Sequence, residues 1–129
     1  MSFLKGIHHI AVICSNYPVS KNFYTEILGF KIENEVYRKE RDSYKLDLSL
    51  HGLYTIELFS FPSVPKRLSR PEATGLRHIA FKVDDLEKML DFLREKQVEF
   101  EAVRRDEHTD KRFTFLFDPD KLPIELYEE

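Results

Sequence analysis

The sequence predicts an α+β chain in which one strand–helix–strand–strand–strand unit is built twice. Gly6-Ile7-His8-His9-Ile10-Ala11 resembles Gly75-Leu76-Arg77-His78-Ile79-Ala80 at an offset of 69 residues, and Phe23 falls on Phe92 and Glu26 on Glu95 at the same offset. Ile56-Glu57-Leu58-Phe59 resembles Ile124-Glu125-Leu126-Tyr127 at an offset of 68. Two matches in the same order at nearly one offset point to a duplicated unit. The hydrophobic patterning of the two halves repeats as well.

Each half opens with a short apolar run of strand length, 7–14 and 76–83. A helix follows each run. In the first, Ser15 or Asn16 offers a cap and Pro18 suits the first turn; Val19, Phe23 and Ile27 share a face, and Gly29 is the stop. In the second, Asp84 and Glu87 resemble a capping box, and Leu86, Leu90 and Leu93 line one face. Three strands then follow in each half: 30–37, 44–50 and 54–61, then 98–103, 113–118 and 124–127. His51-Gly52 and Asp118-Pro119-Asp120 are the turns before each last strand. The boundaries become 5–61 for the first module, 62–73 for a linker rich in proline, and 74–129 for the second module, all within one domain.

Composition excludes several function classes. Lys and Arg total 20 against 23 for Asp and Glu, a net charge of −3, whereas a nucleic-acid or acidic-membrane binder needs a basic excess. No apolar run reaches the ~18–20 residues of a membrane span. The start lacks the apolar core of a signal peptide, and the lone Cys14 fits a reducing compartment, so the expected location is the cytoplasm. With 4 glycines, there is no glycine-rich phosphate loop.

Five histidines remain to be assigned. His9 and His78 are the matched pair, and Glu57 and Glu125 are matched carboxylates on apolar strands. A lone strand histidine or glutamate reads most simply as a surface or hydrogen-bonded residue; a pair of each, kept in both halves, reads as a site. His8 has no counterpart and, by strand alternation, faces away from His9. His51 and His108 fall in a turn and a charged loop and read as surface residues. If the halves pack about a pseudo-twofold axis, two imidazoles and two carboxylates converge. Such a set suits zinc, nickel, cobalt, manganese or ferrous iron. Cys14 lies at odd spacing from His9 and so on the opposite face.

The chain resembles the vicinal oxygen chelate superfamily, which groups glyoxalase, bleomycin resistance and extradiol dioxygenase proteins, and within it the glyoxalase I-like branch. The residues that carry the resemblance are His9 and His78, Phe23-Tyr24 with Leu28-Gly29-Phe30, and Phe117-Asp118-Pro119-Asp120 leading to Ile124-Glu125-Leu126. It implies paired βαβββ modules forming an open, incomplete barrel around a metal site, in a homodimer. It also implies that His9, Glu57, His78 and Glu125 are metal ligands, zinc or nickel foremost. Glu125 is then the general base and Glu57 a second proton carrier. The implied reaction isomerises an α-hydroxycarbonyl, such as the hemithioacetal of methylglyoxal and a thiol, through a metal-bound enediolate.

One departure concerns the thiol. Bacterial glyoxalase I has an arginine-containing run before its first histidine, whereas Lys5-Gly6-Ile7-His8 precedes His9 here. Arg38, Arg41, Lys111 and Arg112 are alternative anion contacts, although each reads more simply as a solvated charge. The resemblance admits other functions: an epimerase, a dioxygenase (disfavoured because Glu57 fills a position that substrate or oxygen needs), or a non-catalytic binding protein of the bleomycin-resistance type.

Overall fold

The computed structural model describes all of Met1–Glu129, in two compact units, Met1–Pro65 and Lys66–Glu129. Each unit is a mixed four-stranded sheet with one helical segment after its first strand, the first unit adding a 3-10 turn at Lys39–Arg41, and the class is α+β.

In the first unit β1 (Ile10–Cys14) leads into α1 (Tyr17–Asn22), which continues as a π turn over Phe23–Ile27. The Asn16 side chain caps α1 by accepting from the Val19 N–H at 3.3 Å, and Pro18 sits in the first turn where no N–H is needed. Sequence periodicity placed Val19, Phe23 and Ile27 on the inner face. The structure instead buries Ser20, Phe23 and Tyr24 and leaves Val19 49% exposed. Beyond Phe23 the period changes: Leu28 N–H bonds to the Phe23 carbonyl five residues back, so Ile27 leaves the 3.6-residue stripe and is only half-buried. Gly29, at φ +80, ends the segment as expected, in a conformation that suits glycine.

A meander follows, β2 (Lys31–Arg38), β3 (Ser43–Leu50) and β4 (Leu53–Ser60). The sheet order is β1-β4-β3-β2, with β1 parallel to β4 and the remaining pairs antiparallel. Val12 and Cys14 of β1, Leu46 and Leu48 of β3, and Ile56 and Leu58 of β4 are buried. They alternate with Ala11, Asp47 and Glu57, which occupy the opposite face of the sheet.

The second unit repeats this plan with β5 (Ile79–Val83), α2 (Leu86–Glu95), β6 (Arg104–Arg105), β7 (Arg112–Phe117) and β8 (Pro123–Glu128) in the order β5-β8-β7-β6. The cap of α2 is Asp85, one residue after the expected Asp84, and it accepts from the Lys88 N–H at 3.1 Å. Leu86, Leu90 and Leu93 form the buried stripe, as their spacing predicts. Arg112 grips Glu128 of β8 at 3.0 and 2.9 Å, and Glu128 also accepts from the Leu86 N–H. The guanidinium, with help from that N–H, holds the Glu128 carboxyl below its ordinary range.

The strand expected over 98–103 is absent. Val98 N–H closes the end of α2 on the Leu93 carbonyl; Glu101 N–H makes one bond to the Phe115 carbonyl at 2.9 Å, and Thr114 Oγ1 donates to the Glu101 carbonyl. Regular pairing to β7 resumes only at Arg104. Together with the Gln97 N–H on the Arg94 carbonyl, the Val98 bond makes a Schellman end, with Gln97 at φ 58 where glycine is favoured. Gln97→Gly is therefore expected to stabilise the protein by about 1 kcal/mol, since a side chain in the left-handed region costs roughly 1–2 kcal/mol. Urea unfolding checks this; a lowered midpoint would contradict it.

Candidate metal centre

The parallel pairing of first and last strands sets up the same arrangement in each unit. In the first, Ala11 lies opposite Glu57; in the second, Ala80 lies opposite Glu125. His9 and His78 each stand one residue before a strand rather than within it, since the ladders begin at Ile10 and Ile79. Both imidazoles nevertheless reach the neighbouring glutamate. His9 Nε2 lies 3.5 Å from Glu57 Oε2, and His78 Nε2 lies 3.1 Å from Glu125 Oε1.

Two donors bound to one ion at ~2.0–2.2 Å each, on adjacent coordination positions, stand roughly 3 Å apart. Both His–Glu pairs have such spacings, and imidazole with carboxylate is a donor set for a borderline divalent ion. Neither unit by itself gathers three or more His, Cys, Asp or Glu side chains into a metal cluster. The predicted residues are thus brought together as two pairs, one in each unit. Cys14 is 1% exposed on the core face of β1, away from Glu57, as its spacing predicts.

The two pairs differ in their surroundings. Glu57 is enclosed by polar groups: Tyr54 donates its hydroxyl hydrogen to Glu57 and, at 3.0 Å, competes for Asp47 Oδ1. Lys45 Nζ sits 2.8 Å from Asp47 and 3.7 Å from Glu57. Burial, and then the carboxylates of Glu57 and Asp47, push the Tyr54 phenol far above its ordinary range, so it stays a hydrogen donor. The Tyr54 ring also stacks on His9 at 5.4 Å. Glu125 has an aromatic setting instead, with Phe115 opposite it on β7 and the His78 ring edge-on to Phe115 at 5.2 Å.

Tyr54, Lys45 and Asp47 were not singled out from the sequence. Lys45 and Asp47 stand two apart on one strand and so share a face, but only the β3–β4 register brings that face to Glu57.

His8 also needs correction. Strand alternation was expected to turn it away from His9, but both residues precede the ladder, and their Nδ1 atoms share a 2.8 Å hydrogen bond. The expected anion contacts resolve differently as well. Arg38 is not a solvated charge: its guanidinium lies 4.8 Å from the Phe59 ring centre and donates to Ser43 Oγ at 2.7 Å, with Nε buried and unpartnered. Arg112 is committed to Glu128 and Glu87, and Lys111 to Glu129 at 4.0 Å. His51 lies in the β3–β4 turn and His108 in an exposed loop, as predicted.

Comparison with known proteins agrees with this architecture. YwkD of Bacillus subtilis is 62% identical over 126 residues, covering 98% of both chains. The metallothiol transferase FosB of Staphylococcus haemolyticus is 30% identical over 126 residues, covering 96% of this chain and 84% of its own. The crystal structure of a glyoxalase family protein from Enterococcus faecalis superposes with a TM-score of 0.90 at 48% identity, covering 98% of this chain and all of its own. Residues 6–126 match the family model described as Glyoxalase/Bleomycin resistance protein/Dioxygenase superfamily. With that match across both repeats, the chain belongs to the Glyoxalase/Bleomycin resistance protein/Dioxygenase superfamily.

Proposed function

We propose that the protein is a metal-dependent lyase or isomerase of the glyoxalase I type, acting on an α-hydroxycarbonyl or hemithioacetal. The observation that carries this reading is the repeated His–Glu pair, His9 with Glu57 and His78 with Glu125, built at matching register in both units. The similarity to a metallothiol transferase is consistent with a metal and a thiol in the chemistry.

His9, Glu57, His78 and Glu125 would hold the ion, zinc or nickel foremost. When bound, a divalent ion supplies Lewis-acid stabilisation of the negative charge that develops on the substrate oxygens. Glu125 removes the proton from the substrate carbon and returns it to the neighbouring carbon. His78 is its polar neighbour, 3.1 Å away, and the Glu125 carboxylate has none of the Tyr54- and Lys45-like contacts that surround Glu57. Glu57 is the second proton carrier, and the Tyr54 hydroxyl and Lys45 ammonium keep it in place. The protein acts as a cytoplasmic homodimer on a small molecule, without nucleic acid or membrane; no helix is long and apolar enough to cross a membrane.

Metal analysis of the purified protein tests the site. Bound divalent metal is expected, and both His9→Ala and Glu125→Gln should reduce it; undiminished metal in both variants would overturn the assignment. Turnover of methylglyoxal hemithioacetals made with several thiols then tests the reaction.

A further inference from the structure

The second unit contains a cavity of about 370 Å³ that opens beside His78. That volume is at the low end of small-molecule sites, which run ~300–1,000 Å³. One wall is apolar, made by Phe115, Phe117 and Pro123. The rest is mostly charged, with four arginines, Arg67, Arg70, Arg77 and Arg104, against two glutamates, Glu72 and Glu101, and Leu68, Ser69 and Ala73 between them.

These arginines divide by what already occupies them. Arg67 is a clasp: its Nη2 donates to the carbonyls of Leu76 and Arg77, both at 2.9 Å, and its Nε to Ser69 Oγ. It fixes the segment that runs into His78 and has little left for a ligand. Arg77 pairs with Glu72 at 3.2 Å. Arg104 sits over two aromatic rings, 5.1 Å from the Phe113 centre and 5.7 Å from Phe115, and reaches Glu101 only at 3.5 Å. Its fork is therefore pre-oriented above the apolar wall while keeping donors to spare. Arg70 makes no hydrogen bond or ion pair within the chain. Arg104, Phe115 and His78 form a continuous run of ring and guanidinium contacts, from a cation to the imidazole of the proposed reaction centre.

We propose that this cavity holds the acidic end of the substrate, a carboxylate or phosphate gripped by Arg70 and Arg104, with an apolar body lying on Phe115 and Phe117. The substrate is thus a compact organic acid whose anionic group is remote from the reacting carbons. As a statement about substrate it rests on His78 belonging to the reaction centre, but its test needs neither bound metal nor turnover.

The test is a titration of the metal-free protein with phenyl phosphate, benzoate and benzyl alcohol, followed by the NMR signals of Phe115 and Phe117. At least one of the two acids is expected to bind tenfold or more tightly than the alcohol, and the tighter one identifies the anion. Its affinity should fall as salt rises from 50 to 500 mM, and Arg70→Gln and Arg104→Gln should each weaken it about tenfold. Glu95→Gln, remote in α2, should leave it unchanged. Equal binding of acid and alcohol, or acid binding indifferent to salt, would overturn the proposal even if neither arginine variant folded. Failure here with metal still bound through His9 and Glu125 would refute the anion cavity alone; metal unaffected by those variants would refute the reaction centre alone.

Discussion

Glu125→Gln is expected to lower kcat for proton transfer by about 10²–10⁴-fold, the usual contribution of a positioned general base. Glutamine keeps the shape and one oxygen of the side chain but cannot accept the proton. The measurement is made with excess divalent ion, so that weakened metal binding does not stand in for the lost base, and exchange of the substrate carbon-bound proton with deuterated solvent is followed alongside turnover. Both should fall together. Glu57→Gln should retain more of the exchange, because Tyr54 and Lys45 surround Glu57 and restrict its movement, whereas Glu125 faces Phe115. Equal losses in the two variants would contradict the division of roles, and a loss below tenfold in Glu125→Gln would remove it as the base.

Leu58→Ala should cost about 2–5 kcal/mol of stability, the range for emptying a fully buried leucine site. Leu58 is completely buried in β4 and stands between two other buried residues, Val12 on β1 and Leu46 on β3. Strand neighbours tied into a ladder cannot close over the lost volume. Urea unfolding of the variant should show a lower midpoint with little change in slope. A cost below 1 kcal/mol would mean that the first unit's core is far looser than its packing implies.

The sequence revealed the repeated plan and the two His–Glu pairs because duplication leaves a signature independent of propensity: the same residues recur at one offset. It was silent on what surrounds each pair. Tyr54, Lys45 and Asp47 gather on Glu57 through a β3–β4 register that shifts between Leu48 and Ser49, and no spacing rule foretells that shift. Alternation failed for His8 because the ladder starts three residues later than the apolar run suggests. Helical periodicity misplaced Ile27 because a π turn changes the period after Phe23. Over 98–103 only a single backbone bond, Glu101 N–H to the Phe115 carbonyl, reaches β7, and the Thr114 hydroxyl bonds the Glu101 carbonyl beside it, so no ladder is built there. In each case a local rule was sound but was applied beyond the element that obeys it.

The parallel pairing of β1 with β4 has a kinetic consequence. It joins Ile10 to Ile56 across nearly the whole first unit, whereas the β3–β4 ladder joins neighbours through a two-residue turn at His51-Gly52. Long-range closure costs chain entropy before any contact repays it, so the meander forms first and the parallel edge zips on late. The same order holds in the second unit, where Ile79 must find Ile124. The histidines meet their glutamates only in that last step, so the half-formed chain exposes neither pair as an assembled chelator. The metal proposed above would therefore be held by the completed sheets and not by the half-formed chain.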